Sequence, residues 1–91
     1  MQDLHIDIIG VIAGTCTTVS FVPQLVKILR TKKVRDISLY MYIILTTGIF
    51  LWLVYGICLK RVPIILANGI SFLVCLFIII AKIVYGKESN R

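Results

Sequence analysis

Three long apolar runs make up most of this 91-residue chain, and short polar connections separate them. The runs cover approximately Ile8–Val26, Leu39–Leu59 and Val62–Ile83. A helix needs about 20 apolar residues to cross a hydrocarbon core of about 30 Å, so each run is long enough to span a membrane. The runs do not alternate apolar with polar residues as barrel strands do, which predicts helices. We expect spanning helices over about residues 6–29, 38–59 and 62–84 of one all-α domain, residues 1–91.

The composition excludes an ordinary soluble domain. Hydrophobic residues make up 59% of the chain, and the mean hydropathy is +1.01. Soluble domains contain roughly 45–50% apolar residues, and a core of this small size would leave much of the apolar surface in water. Since little of the chain lies outside the predicted spans, its function is expected to take place within the bilayer.

The basic residues are distributed asymmetrically. The first connection and the C-terminal end hold eight of the ten Lys and Arg residues, and the N-terminal tail holds none. Because basic residues flanking spans tend to stay in the cytoplasm, we predict that the N-terminus is outside and the C-terminus is cytoplasmic. The basic clusters are suited to anionic lipid headgroups and form no face for nucleic acid. No basic region precedes the first span, so we expect it to be retained rather than cleaved as a signal peptide.

Two polar side chains lie at a similar predicted depth. Trp52 is eight residues before Lys60, and Asn68 is seven residues after Arg61, which places both about 10–12 Å from the end of their helices. An indole face together with an amide suits a flat, uncharged ligand rich in hydroxyl groups, such as a sugar ring. The alternatives are an interfacial aromatic residue for Trp52 and a helix–helix contact for Asn68.

Pro23 interrupts the first span. Its ring removes one helical hydrogen bond and crowds the carbonyl group four residues earlier, which predicts a kink or hinge. The neighbouring Gln24 amide is placed to satisfy a freed backbone group.

Three helices are too few to enclose a pathway for a solute. A homodimer would supply six, as in transporters built from two parallel repeats. The alternative is a small accessory subunit that packs against a larger membrane protein, and length and hydropathy alone favour it.

Five sequence motifs resemble those of the SemiSWEET sugar transporters of the PQ-loop superfamily, and the resemblance covers essentially all 91 residues. The motifs are Thr17-Thr18-Val19-Ser20-Phe21-Val22-Pro23-Gln24, Arg35-Asp36-Ile37-Ser38, Met41-Tyr42-Ile43, Leu51-Trp52-Leu53-Val54-Tyr55-Gly56 and Pro63-Ile64-Ile65-Leu66-Ala67-Asn68. The resemblance implies a three-helix bundle with helix order 1-3-2 that forms a parallel homodimer of 3+3 helices. It also implies a place in the bacterial cytoplasmic membrane.

The resemblance further implies roles for individual residues. Trp52 and Asn68 correspond to residues that bind sugar, here a glucose- or sucrose-like substrate. Pro23 and Gln24 correspond to the hinge.

The gates are also implied by the resemblance, and one of them departs from the family pattern. Phe21 and Met41 correspond to the cytoplasmic gate, and Tyr55 corresponds to the outer gate. Several family members complete the outer gate with an Arg and an Asp, where this chain has Leu59 and Arg61. The outer gate is therefore expected to close through apolar contact around Tyr55, or to close less firmly.

The positions of the charged residues predict transport that is not coupled to the movement of protons. No Asp, Glu or His lies well inside a span, and intramembrane acids are the usual carriers of protons. Facilitated diffusion is expected, and an amino-acid transporter of the PQ-loop superfamily is a less favoured alternative. Asp7 opens the first span, where it is a conceivable partner for Arg61.

No nucleophile–base pair, metal cluster or phosphate loop is present, so we expect no enzyme activity, metal or cofactor. The three cysteines are interpreted as small buried apolar residues.

Overall fold

The structure is a computed structural model that describes the backbone of residues 2–89 and the side chains of residues 4–86. Its helices are α1 (Gln2–Thr31), α2 (Leu39–Leu59) and α3 (Val62–Ser89). All three are long and apolar enough to cross a membrane, and the described residues contain no strand. The prediction of an all-α membrane protein with three spanning helices is confirmed. Helical hydrogen bonding continues beyond the apolar runs, so α1 begins before residue 6 and α3 ends after residue 84.

The connection between α2 and α3 is a tight turn at Lys60 and Arg61. Lys60 adopts a left-handed conformation with φ 57° and ψ 41°. The amides of Lys60 and Arg61 donate to the carbonyl oxygens of Ile57 at 3.1 Å and Gly56 at 3.0 Å. These bonds satisfy carbonyl groups of the last turn of α2 and reverse the chain direction. We call this end of the bundle the outer end and the opposite end the inner end.

The connection between α1 and α2 folds onto the inner end of α3. Val34 and Ile37 are buried, although they belong to a loop. The Lys82 ammonium group on α3 donates to the carbonyl oxygen of Val34 at 2.8 Å. Ser38 caps α2, because its hydroxyl oxygen accepts a 3.2 Å hydrogen bond from the amide of Met41. The loop is therefore attached to the helices on both sides of it.

α3 lies between the other two helices. It packs against both α1 and α2, whereas α1 and α2 have no Cα atoms within 8 Å of each other. The helix order is therefore 1-3-2, as the resemblance implied.

α1 and α3 are parallel and approach closely through small residues. The facing pairs, each separated by 53 positions along the chain, are Gly10 with Pro63, Gly14 with Ala67, and Thr18 with Ser71. A Cβ atom on Gly14 would overlap the Cβ atom of Ala67, so this approach requires glycine. The Thr18 and Ser71 hydroxyl oxygens are 2.8 Å apart. Small residues at four-residue intervals are typical of close helix pairs in membranes. We call these six residues the small-residue seam.

α2 packs against α3 in the antiparallel direction. Its buried residues are Tyr42, Thr46, Ile49 and Gly56, which are four, three and seven residues apart and so lie on one face of the helix. A Cβ atom on Gly56 would lie 2.6 Å from Cγ2 of Ile64. Further toward the inner end, the rings of Phe50 and Phe72 have centroids 5.7 Å apart. The residue numbers of the contacting positions therefore increase along α3 as they decrease along α2, as expected for antiparallel helices.

The surface of α3 that faces away from both partners is apolar. Its exposed residues recur at helical spacing and are Val62, Leu66, Ile70, Leu73, Phe77, Ile80 and Val84. Such a stripe is suited to lipid chains. The polar residues Asn68, Ser71 and Lys82 lie outside this stripe.

Alanine should change the stability of the protein differently at Gly14, which lies in the small-residue seam, and at Gly48, which lies outside it. Gly14→Ala should lower the free energy of unfolding by about 1–3 kcal/mol, because the added methyl group overlaps Ala67. Gly48→Ala is the matched control, since a Cβ atom there has no neighbour within 4 Å. It should be neutral or stabilise by up to about 1 kcal/mol through helix propensity. Thermal unfolding in detergent micelles measures both, and equal melting temperatures would contradict the proposed close contact.

Candidate functional site

The antiparallel packing of α2 and α3 places Trp52 and Asn68 at nearly the same depth. Phe50 contacts Phe72 at one level, and Gly56 contacts Ile64 nearer the outer end. Interpolating between these contacts puts Trp52 within about 3 Å of the level of Asn68 along the helix axes. The two side chains therefore belong to one layer of the bundle.

Asn68 is half-buried and partly engaged by its own helix. Its amide nitrogen donates to the carbonyl oxygen of Ile64 at 2.9 Å. This bond holds the side chain against α3 and leaves one further N–H and the amide oxygen for other partners. The amide is therefore held in one orientation in the single chain.

Trp52 shares one face of α2 with two other predicted site residues. Met41 is eleven residues before Trp52, about three helical turns, and Tyr55 is three residues after it. All three side chains are more than half exposed in the single chain. The rings of Trp52 and Tyr55 meet edge-on, with centroids 5.4 Å apart and planes at 89°. This face offers aromatic surface to a ligand or to a second subunit.

Phe21 and Gln24 meet Tyr42 near the inner end. The Tyr42 hydroxyl donates to Oε1 of Gln24, and the Tyr42 and Phe21 rings have centroids 6.4 Å apart. The sequence predicts that Gln24 satisfies backbone groups freed by Pro23. The structure instead directs the Gln24 carbonyl oxygen toward α2, where a buried tyrosine hydroxyl requires an acceptor. Pro23 lies within α1, which is helical on both sides of it.

Sequence reasoning missed the part that Tyr42 plays in this cluster with Phe21 and Gln24. Tyr42 was part of a recognised motif, but no role was assigned to it. The available signal was a phenol group near the beginning of an apolar span, since a buried tyrosine hydroxyl usually has a hydrogen-bond partner.

An ion pair joins α1 to the outer turn. A guanidinium nitrogen of Arg61 donates to Oδ1 of Asp7 at 3.0 Å. The side chains are 32% and 39% exposed, respectively. The structure thus provides the contact between these residues that the sequence left open. Leu59, the other position that departs from the family pattern, is exposed.

The cysteines and acidic residues form no metal site in the part of the chain that the structure describes, because no three His, Cys, Asp or Glu side chains come together there. All three cysteines are free thiols. Only Cys75 is buried, so the expectation of burial is wrong for Cys16 and Cys58, which lie on exposed helix surfaces of the single chain.

Comparison with known protein families shows which family this chain belongs to. The model of the PQ loop repeat matches residues 6–65, which is more than half of the chain. The chain belongs to the PQ-loop family. Within this family it is similar to a protein of Bradyrhizobium diazoefficiens named "Sugar transporter SemiSWEET", with 41% identity over 94% of this chain and 100% of that protein. A Leptospira biflexa protein of the same name is 42% identical over 91% of this chain and 98% of that protein.

Solved structures of the family have the same fold. A crystal structure of a bacterial homologue of SWEET transporters has a TM-score of 0.82 and 48% identity, covering 87% of this chain and 95% of that one. A SemiSWEET structure in the inward-open conformation also has a TM-score of 0.82, with 28% identity over 94% of this chain and 92% of that one. The resemblance to SemiSWEET proteins inferred from the motifs is confirmed.

The ion pair predicts a charge-dependent stability. Arg61→Glu should lower the free energy of unfolding by on the order of 1 kcal/mol at low salt, because it places two carboxylates together at a partly exposed site. The double variant Asp7→Lys with Arg61→Glu should recover most of this loss. Lys60→Glu is the matched control, since it makes the same change of charge on the neighbouring residue. Thermal unfolding in detergent measures all four proteins, and a double variant no more stable than Arg61→Glu would contradict the pairing.

Proposed function

We propose that this chain is a facilitative sugar transporter that works as a parallel homodimer and moves a mono- or disaccharide by alternating access. The observation that carries the proposal is its end-to-end similarity, at 41–42% identity, to two proteins named as SemiSWEET sugar transporters. The chain is accordingly a transporter and not an enzyme. The amino-acid transporter and the accessory subunit, both considered from the sequence, gain no support from these relatives.

The proposed sugar site consists of Trp52 and Asn68. They lie in one layer of the bundle, and the half-buried amide of Asn68 is held in place by Ile64. The indole provides an apolar platform for a sugar ring, while the amide exchanges hydrogen bonds with hydroxyl groups. A homodimer would contribute each residue twice, so that both faces of a sugar ring are contacted. A glucose- or sucrose-like substrate fits this chemistry.

The proposed gates lie on either side of this layer. Met41 and Tyr55 share the α2 face that carries Trp52, toward the inner and outer ends respectively. Phe21 lies on α1 beside the inner cluster with Tyr42. Phe21 and Met41 would narrow the cytoplasmic side and Tyr55 the outer side, while Pro23 and Gln24 provide the hinge.

The distribution of ionisable residues supports transport without proton coupling. Among the described side chains, the acidic residues are Asp7 near the outer end and Asp36 in the first connection. A proton relay through the bilayer centre would require an ionisable group between them. The solute is therefore expected to move only down its gradient.

The protein is an integral membrane protein, and we place it in a bacterial cytoplasmic membrane. The basic first connection and C-terminal end would face the cytoplasm and anionic lipid headgroups, which puts the N-terminus outside. The inner end of the bundle is then its cytoplasmic end.

Uptake into liposomes that contain only this protein tests the proposed function. Labelled mono- and disaccharides and basic amino acids are supplied in parallel, with and without an uncoupler. At least one sugar should equilibrate to the external concentration and no higher, and the uncoupler should change nothing. Uptake of an amino acid without any sugar, or accumulation sensitive to the uncoupler, would contradict the proposal.

Truncation of either proposed binding residue should abolish most transport while dimers still form. Loss of one aromatic platform costs about 1–3 kcal/mol, which corresponds to about ten- to hundredfold in affinity, and the homodimer loses both copies. Trp52→Ala and Asn68→Ala are compared with Phe77→Ala, which removes an equally exposed aromatic residue from the apolar stripe of α3. Sugar uptake and equilibrium binding measure the effect. Near wild-type uptake by either site variant would exclude that residue from the site.

Removal of the proline in α1 should slow transport and leave binding intact. Pro23→Ala restores a backbone N–H and removes the ring clash, which straightens and stabilises α1. Either the inward-facing or the outward-facing conformation then becomes harder to reach. Pro63→Ala is the matched control, because Pro63 lies in the first turn of α3, where no helical hydrogen bond is lost. The maximal exchange rate and the sugar Kd are measured for both, and a wild-type rate for Pro23→Ala would place the bending elsewhere.

A further inference from the structure

Tyr42 forms a direct link between two helices that α3 otherwise separates. Its side chain is almost completely buried at the beginning of α2. Its hydroxyl donates to Oε1 of Gln24 on α1, and its ring meets that of Phe21 at 62°. Because α1 and α2 have no Cα atoms within 8 Å of each other, this contact is made by long side chains and not by close approach of the backbones.

α1 packs against α3 on both sides of Pro23, since Ile28 belongs to one buried cluster with Ile78 and Ala81, and the residues beside Pro23 also contact α2. Toward the outer end, the small-residue seam and the Asp7–Arg61 ion pair hold α1 against α3. Immediately past Pro23 toward the inner end, Gln24 is bonded to α2. A bend at Pro23 would shift the neighbouring Gln24 and, through their hydrogen bond, displace the hydroxyl of Tyr42.

The first turn of α2 transmits such a displacement to Met41. Tyr42 and Met41 are adjacent, and the amide of Met41 is bonded to the Ser38 hydroxyl that caps the helix. The amide of Tyr42 also donates to the carbonyl oxygen of Ser38, at 3.1 Å. With both amides fixed to the same cap, the two residues move as one unit.

We infer that Tyr42 is a positioning residue that couples bending at Pro23 to displacement of Met41 at the inner gate, through its hydrogen bond to Gln24. This inference rests on the proposed function for its meaning in transport. Tyr42 contacts no solute in this role. It acts by making the inner ends of α1 and α2 move together.

Single and double variants of the hydrogen bond test the coupling. Tyr42→Phe removes the donor and keeps the ring, whereas Gln24→Met removes the acceptor and keeps the side-chain length. Should Tyr42→Phe fail to fold, Gln24→Met breaks the same bond from the other helix. Tyr40→Phe is the matched control, because it removes the hydroxyl of a neighbouring tyrosine that is 81% exposed.

Transport measurements in liposomes give the first readout. Tyr42→Phe should lower the maximal sugar exchange rate by about tenfold, the effect of losing one buried hydrogen bond, without changing the sugar Kd. Gln24→Met should do the same, and the double variant should be no slower than the slower single variant. A wild-type rate for Tyr42→Phe, additive losses, or a parallel loss of binding would overturn the inference.

Thiol labelling gives a second readout that requires no sugar. A Met41→Cys reporter is made with the exposed Cys16 and Cys58 changed to Ala, while the fully buried Cys75 is kept. In detergent, Tyr42→Phe and Gln24→Met should each speed maleimide labelling of the reporter severalfold, and the double variant should add nothing further. Unchanged or additive labelling would overturn the coupling. If labelling shows the coupling but the wild-type protein moves no sugar, the proposed function fails and the coupling stands.

Discussion

The close approach of α1 to α3 at Gly14 and Ala67 is the contact on which the rest of the structure depends. Helices in a bilayer gain little from burying apolar surface, because lipid chains are as apolar as their neighbours. Association must come from tight packing and from hydrogen bonds such as the contact between Thr18 and Ser71. Both require the backbones to be close, which only small residues permit. Once α1 is placed in this way, α3 retains a separate surface for α2.

The central position of α3 also limits where its polar residues can lie. The apolar stripe of α3 faces away from both partners, so its polar residues are confined to the remaining surface. Asn68 lies there, at the level of Trp52. The exposed α2 face with Met41, Trp52 and Tyr55 is left without cover in one subunit, which agrees with a site completed by a second subunit.

Much of this arrangement was predictable from the sequence. The depth of a residue in a spanning helix follows from the number of residues that separate it from the end of that helix. A short turn joins α2 to α3, so the number of residues from Lys60 and Arg61 gives the level of Trp52 and Asn68 directly. The presence of three helices followed from apolar length alone. Helix order came from the family resemblance. The lengths of α1 and α3 were underestimated, since hydropathy marks the span whereas backbone hydrogen bonds continue into polar sequence.

The contacts between side chains were not predictable in the same way. The bond between Tyr42 and Gln24 and the ion pair between Asp7 and Arg61 depend on how each helix is rotated about its axis. Hydropathy leaves this rotation undetermined, and it emerges only when small residues in one helix meet their partners in another. For Gln24, the sequence predicted a bond to the backbone of its own helix. The structure instead shows a bond to Tyr42, eighteen residues away.

The order 1-3-2 has a consequence for synthesis of the protein. α1 and α2 leave the ribosome first, yet each finds its principal packing surface on α3, which emerges last. Among the described residues, the side-chain contacts between these two helices in the finished bundle lie near their inner ends. Assembly of the bundle must therefore wait for the final third of the chain, and a polypeptide stopped before α3 would leave two inserted helices whose glycine-lined surfaces have nothing to close upon.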